Sequence, residues 1–162
     1  MSSSSNSPKH KTTGITWHIR DNGVIEDIDE RDEITGISIP KSQVLRNGKA
    51  SDHHAIYHIY VENDNKDNEE NADDIHRWIV MKRFQDFKNF DKKLRSVIKD
   101  KDPTSLPIIP TLPPKHMKLF KNHLDYIFVE KRRLLLQEYI QDLCKHQLFR
   151  RQECTRNFLQ ID

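Results

Sequence analysis

Apolar and polar residues alternate along the chain at 34–40, a stretch rich in Ile, Tyr and Val follows at 54–62, and a third strand-like stretch spans 76–83. A period of two is typical of half-buried β-strands. Asn47-Gly48 is a tight-turn signal between the first two stretches, and a polar acidic loop begins at Asn63. Strands that follow one another through short or polar connections predict a three-stranded antiparallel meander.

The apolar period changes to that of a helix after residue 83. Apolar side chains recur at steps of three and four, and a single polar position, Asp91, interrupts the stripe. A second long stripe predicts a helix over 124–145, and 149–159 predicts a short final helix. Because the strands come first and the helices follow, we predict an α+β fold with a helical subdomain packed on one side of the sheet.

Prolines occur in two parts of this pattern. Pro40 lies in the first strand and predicts either the end of its pairing or an edge position. The run 106–114 contains four prolines between the helical stripes. Each proline biases the preceding residue towards extended conformations, so the run predicts a non-helical, polyproline-like crossing loop. It also contains two PxxP motifs, which a partner's aromatic groove could bind.

Length and local composition predict the domain organisation. With 162 residues the chain has room for about one domain. Residues 1–33 are rich in serine and charge, and we predict that they are largely disordered, with a possible short strand at 15–19. We expect the folded domain to span 34–162.

Charge and hydropathy narrow the function classes. The net charge is only +2, which argues against a nucleic-acid binder. Acidic residues crowd 26–33 and 62–74, whereas basic residues crowd 115–133 and 150–156, so a basic face for an anionic ligand is expected. No apolar run has the length of a membrane span, and residues 1–11 lack a signal-peptide pattern. We therefore expect a cytoplasmic protein whose membrane contact is peripheral.

Catalytic patterns are weak. Cys144 and His146 lie two positions apart on a predicted helix, so their side chains point in different directions. We find no glycine-rich loop, nucleophile elbow or metal-ligand spacing. We therefore expect no enzyme, no metal and no cofactor.

Cations at three places suit a phosphorylated ligand. Arg83 ends a strand, and its planar guanidinium matches phosphate oxygens. Phe84 follows it and offers a ring for the apolar face of a sugar-like group. Lys115 ends the proline-rich run, and 131–133 form a basic helical turn of which only one or two side chains can face one site. Taken singly, Arg83 and Lys115 are better explained as exposed surface cations and Phe84 as the first core position of the helix. We expect Lys131 and Arg133 to face solvent.

The ordered set is more specific than its parts. A strand leads into RFQDF at 83–87, a proline-rich run ends in PPK at 113–115, and FVEKRRLLL at 128–136 and NFL at 157–159 follow. Over about 34–161 this order resembles the PX (phox-homology) domain family. The resemblance implies a three-stranded sheet packed on helices. It also implies phosphoinositide binding, most often of phosphatidylinositol 3-phosphate on endosomes and vacuoles.

The resemblance also implies roles for particular residues. Arg83 would hold the 3-phosphate and Phe84 would line the inositol ring, where tyrosine is the commoner family residue. Lys115 would meet the 1-phosphate, and Arg132 would reach the 4- and 5-hydroxyls.

The segment after the proline-rich run carries a second set of expectations. Its apolar side chains could enter the membrane or could join the core, and both interpretations stay open. Its lysines could meet anionic lipid. The residues are Met117, Lys118, Leu119, Phe120 and Lys121.

Two partner hypotheses follow. By analogy with small fungal family members, the protein would act as an adaptor on phosphatidylinositol 3-phosphate membranes and would recruit a protein through its N-terminal segment or its proline-rich run. The alternative is a protein-interaction module that uses the PxxP motifs and has a weak or vestigial lipid pocket. Solvent exposure of 107–114 would favour that alternative.

Overall fold

A computed structural model describes residues 16–19, 25–28, 34–46, 48–49, 53–64, 75–116 and 124–161. Its strands are β1 (Thr16–Ile19), β2 (Ile25–Ile28), β3 (Ile34–Leu45), β4 (His54–Asp64) and β5 (Ile75–Arg83). Its helices are α1 (Phe84–Lys101), a 3-10 helix (Pro103–Ile108), α2 (Tyr126–Lys145), α3 (Gln147–Arg150) and α4 (Glu153–Leu159).

The predicted meander is confirmed, since β3, β4 and β5 pair antiparallel in that order. Of the two outcomes predicted for Pro40, the edge position is confirmed, because β3 is an edge strand, whereas pairing does not end there, because β3 runs on to Leu45. The register shifts between Ser38 and Lys41, so Pro40 lies at a bulge on an edge strand. At such a position the missing N–H of proline breaks no regular ladder bond.

The N-terminal region contains a separate two-stranded hairpin, in which β1 pairs antiparallel with β2. The short strand considered at 15–19 is present as β1. Its partner β2 was not predicted, because 20–33 is dominated by charged residues. For the rest of 1–33 disorder stays a prediction, as does the domain boundary at residue 34.

The core lies between the inner face of the sheet and the helices. On β4 the alternate residues Tyr57, Ile59 and Val61 are fully buried. The buried residues of α1 form the predicted stripe. They are Phe87, Phe90, Leu94 and Ile98. Aromatic contacts join this stripe to α4, since the Phe158 ring lies 5.1 Å from Phe87 and 4.3 Å from Phe90 between centroids.

Helix α2 runs along the open edge of β3 and satisfies its backbone. The Arg133 guanidinium donates to the Ile39 carbonyl at 2.6 Å, and the Gln137 side-chain oxygen accepts from the Ile39 N–H at 2.9 Å. The Gln141 amide donates to the Ile37 carbonyl at 2.9 Å. Unpaired strand edges invite association with other strands, so these bonds both protect the edge and fix α2 against it.

Arg133 therefore does not face solvent, which contradicts the prediction. Its Nε also donates to Glu130 at 2.9 Å, and only 15% of its side-chain surface is exposed. Glu130 in turn accepts a 2.6 Å bond from the Ser42 hydroxyl, which holds the pKa of its carboxyl below the ordinary value. Lys131, the other residue expected to face solvent, is exposed.

Two helical predictions need correction. The run 106–114 was expected to be non-helical, but its first residues belong to the 3-10 helix Pro103–Ile108. Pro103 suits the first turn because the N–H it lacks would be unpaired there. The final helix is broken in two between Arg150 and Glu153. There the Thr155 hydroxyl donates to the Phe149 carbonyl at 2.7 Å, in place of a continued helical bond.

Candidate functional site

Arg83 lies at the junction of β5 and α1. Its backbone N–H donates to Asp86 Oδ2 at 2.7 Å, which satisfies the N-terminus of α1. Cross-strand pairing with Ile56 holds the same residue from the sheet side. The backbone is thus fixed by two elements, while the Arg83 side chain is exposed. A fixed backbone with an accessible guanidinium suits the recognition of an anion.

Arg132 lies at the centre of the candidate site. It is only 4% exposed, and its guanidinium carbon lies 4.1 Å from the Phe84 ring centroid and 4.2 Å from that of Phe128. Its Nη2 donates to the carbonyls of Pro114 and Lys115. One guanidinium therefore joins the start of α1, helix α2 and the end of the proline-rich segment.

The predicted binding residues are brought together unequally. Phe84, Arg132 and the backbone of Lys115 are in contact, and Arg83 precedes Phe84 in the chain. Arg132 binds the backbone carbonyl of Lys115, and the Lys115 side chain itself is exposed. Phe84 is partly buried against Arg132. The ligand contacts assigned to the four residues stay predictions.

Two buried polar atoms near this site have no hydrogen-bond partner among the described residues. They are the Arg132 Nε and the Tyr57 hydroxyl, and the two side chains interact with each other but outside regular hydrogen-bond geometry. Burial raises the pKa of Tyr57, and the charge of Arg132 acts against that rise. Burial also lowers the pKa of Arg132, but a guanidinium remains charged in proteins. An unpaired buried donor is costly, so a hydrogen-bond acceptor that reached Arg132 Nε would stabilise the site.

Sequence reasoning missed Tyr57 and Phe128 as site residues. Phe128 could have been found, because it precedes Arg132 by four positions and so lies on the same helix face. Tyr57 gave no such signal. It reaches the site only through the strand register, which pairs it with Lys82 next to Arg83.

A second network anchors the proline-rich segment. The Tyr139 hydroxyl donates to Asp91 Oδ1 at 2.9 Å, and Arg95 Nε donates to Asp91 Oδ2 at 2.9 Å. Arg95 also donates to the Pro110 carbonyl at 2.8 Å. Asp91, the polar interruption in the α1 stripe, thus links both long helices to the segment that carries Lys115.

The exposure of the proline-rich segment is mixed. Pro107 and Ile108 are exposed, whereas Ile109 and Pro113 are buried and Pro110 is partly buried. Because Pro113 packs onto its own domain, the second PxxP motif is not presented as a free ligand. The first motif is more accessible.

The remaining predictions divide into those the structure describes and those it does not. The expected membrane residues Met117, Lys118, Leu119, Phe120 and Lys121 lie outside the described residues. Within the described part of the chain, no group of three or more potential ligands could hold a metal ion. None of the helices described is long and apolar enough to cross a membrane.

Both cysteines are buried and free of disulfides. Burial raises the pKa of Cys144 to about 12 and raises that of Cys154 as well. A reactive thiol needs a lowered pKa, so neither cysteine has the environment of a nucleophile.

Comparison with known proteins identifies the family. The model of the PX domain family matches residues 70–162, so the chain belongs to that family. A designed CISK-PX domain is 26% identical, with a TM-score of 0.55 over 76% of this chain and 97% of that chain. The mouse SNX19 PX domain, solved with a bound sulphate ion, is 20% identical, with a TM-score of 0.54 over 80% of this chain and 97% of that chain.

A curated relative is a probable serine/threonine-protein kinase from Dictyostelium discoideum. It is 32% identical over 83 residues, which are 51% of this chain but only 4% of the relative. The shared part is therefore a small fraction of that protein.

Family membership defines the class of function. PX domains are in general phosphoinositide-binding modules of membrane trafficking, without enzymatic activity, and they associate peripherally with membranes. The predicted α+β fold is likewise that of the PX domains of known structure.

Proposed function

We propose that this domain binds the headgroup of phosphatidylinositol 3-phosphate and holds the protein on endosomal or vacuolar membranes as a trafficking or contact-site adaptor. The observation that carries the proposal is the convergence on Arg132. This residue joins the β5–α1 junction to the end of the proline-rich segment. Four residue types that suit a phosphorylated ring therefore lie at one end of the domain.

The proposed contacts follow from charge and accessibility. The exposed Arg83 guanidinium binds the 3-phosphate through paired hydrogen bonds, and the exposed Lys115 ammonium meets the 1-phosphate as a point charge. Phe84 lines the inositol ring. Arg132 Nε, buried and unpartnered among the described residues, is the donor for the ring hydroxyls.

Headgroup binding alone gives limited affinity, so the proposal includes bilayer contact. Met117, Leu119 and Phe120 enter the lipid surface, and Lys118 and Lys121 meet anionic lipid, each contributing on the order of 1 kcal/mol near such a surface. A protein partner binds the N-terminal segment or the proline-rich run.

Arg83→Ala tests the headgroup site, with Arg77→Ala as its matched control. Arg77 is also exposed and lies six residues earlier on the same strand, paired with Glu62 at 2.7 Å. Vesicle co-sedimentation would compare phosphatidylinositol 3-phosphate, other phosphoinositides and plain anionic lipid at equal charge. We expect Arg83→Ala to lose about 10- to 100-fold in affinity for the 3-phosphate vesicles, the range for a charged hydrogen-bond pair.

Arg77→Ala should bind as the wild type does. Equal binding to every anionic vesicle, or equal loss in both variants, would contradict the proposal. Such a result would favour the interaction module, which the 51% exposure of Ile108 beside the exposed Pro107 supports.

A further inference from the structure

The first turn of α2 carries two adjacent, highly exposed apolar side chains. Tyr126 is 77% exposed and Ile127 is 64% exposed. We propose that this pair is a membrane-contacting surface that enters the interfacial layer of the bilayer. The proposal rests on the proposed lipid-binding function, and it adds an ordered helical surface to the lipid contact expected from 117–121.

The pair lies at the same end of the molecule as the candidate headgroup site. Arg132 follows Tyr126 by six residues, which is roughly 9 Å along the axis at the helical rise of about 1.5 Å per residue. Helical side chains tilt towards the N-terminus, so Tyr126 and Ile127 extend beyond Arg132. The Lys115 carbonyl is bound to Arg132, so both ends of the connection 116–125 also lie at this end.

Helical geometry explains why these side chains stay outside the core. Phe128, Val129, Arg132 and Leu136 form the buried face of α2. The two residues before that face point elsewhere, because successive residues are about 100° apart. The Asp125 side chain accepts from the Ile127 N–H at 2.9 Å and caps the helix at this point. The pair is thus fixed in position without being buried.

The chemistry of the pair matches the water–lipid interface. Tyrosine joins an apolar ring to a hydroxyl and is enriched at this depth in membrane proteins. Ile127 adds an aliphatic surface that water solvates poorly. The exposed Lys131, about one turn further along α2, can meet anionic headgroups.

A double substitution, Tyr126→Ser with Ile127→Ser, separates this surface from the headgroup site. We expect at least a tenfold weaker affinity for vesicles that contain phosphatidylinositol 3-phosphate, since the apolar contact of this helical surface is lost. Binding to a soluble short-chain phosphatidylinositol 3-phosphate should not change. The matched control is Ile79→Ser with Met81→Ser, which removes two exposed apolar side chains from β5. Unchanged vesicle binding by the α2 variant, or equal loss in the control, would overturn the proposal.

Lipid quenching provides a test that does not depend on affinity. Tyr126→Trp on vesicles of brominated lipid should be quenched more strongly than the wild type, whose tryptophans are Trp17 and Trp78. No added quenching would overturn the proposal. If the wild type does not bind the soluble lipid, the headgroup function fails by itself. In that case, quenching of Tyr126→Trp on vesicles of plain anionic lipid would still support the membrane-contacting surface. The absence of binding or of quenching on those vesicles would overturn that proposal as well.

Discussion

Arg132 should be essential for the stability of the domain as well as for ligand binding. Arg132→Ala removes two cation–π contacts, each worth about 0.5–2 kcal/mol, and hydrogen bonds from a charged donor, worth about 1.5–3 kcal/mol. Relief of the cost of burying a charge offsets part of this loss. We expect a net decrease of about 2–4 kcal/mol in the free energy of unfolding, a large share of the ~5–15 kcal/mol of an ordinary domain.

Urea unfolding followed by tryptophan fluorescence measures this change. Trp78 is a suitable reporter, because its indole N–H donates to the Leu159 carbonyl at 2.8 Å and so joins β5 to the end of α4. Lys131→Ala is the control, since this exposed neighbour should change stability by less than about 0.5 kcal/mol. Arg132→Met keeps much of the apolar volume without the donors, so its loss should be smaller than that of Arg132→Ala.

Hydrogen exchange tests whether Arg132 holds the proline-rich segment in place. Arg132→Ala should increase hydrogen exchange at 115–116, because the carbonyl that anchors this part of the chain is released. A stability within about 0.5 kcal/mol of the wild type, with unchanged exchange there, would refute the view that Arg132 holds the proline-rich segment in place.

Further predictions concern tyrosines and a histidine. Tyr139→Phe should lower the free energy of unfolding by about 1 kcal/mol, since it breaks the bond to Asp91, whereas Tyr57→Phe should cost less, because its hydroxyl interacts with Arg132 without a hydrogen bond of regular geometry. Urea titrations of both variants would show the contrast, and an equal loss would contradict it. Burial and the charge of Lys41 hold the pKa of His58 below 6.5, its ordinary value. Protonation of His58 is therefore less favourable in the folded state than in the unfolded state. The domain keeps its full stability above pH 6.5 and loses part of it as the pH falls through the lower, folded-state pKa. Stability curves should show that loss in the wild type and a smaller one in His58→Gln, and identical pH dependence would argue against it.

Periodicity predicted the elements well where local pattern and tertiary packing agree. The meander and the stripe of α1 are such cases, because each buried face is defined by its own sequence spacing. For Pro40 the sequence left an end of pairing and an edge position open, and the edge position is the one observed, because a bulge on an edge strand tolerates proline. The break before α4 was also missed, and there the Thr155 hydroxyl donates to the carbonyl of Phe149, six residues earlier.

The sequence indicated some residues of the candidate site, whose ligand contacts stay predictions, but it did not show their arrangement. Arg83 and Phe84 follow from the strand-to-helix transition, which is local. The burial of Arg132 depends on the proline-rich segment folding back onto α2, and that contact is long-range. Arg133 was expected to face solvent because its partner, the edge of β3, lies far away in sequence.

The most direct test of the central claim is a calorimetric titration with soluble short-chain phosphatidylinositol 3-phosphate. It would compare the wild type, Arg83→Ala and the Arg77→Ala control. No membrane surface is present, so unspecific attraction of the protein to anionic lipid cannot contribute. We predict binding of one ligand per domain by the wild type and by Arg77→Ala, and a loss of about 10-fold or more in Arg83→Ala. Undiminished binding by Arg83→Ala, or none by the wild type, would contradict the assignment of the headgroup site.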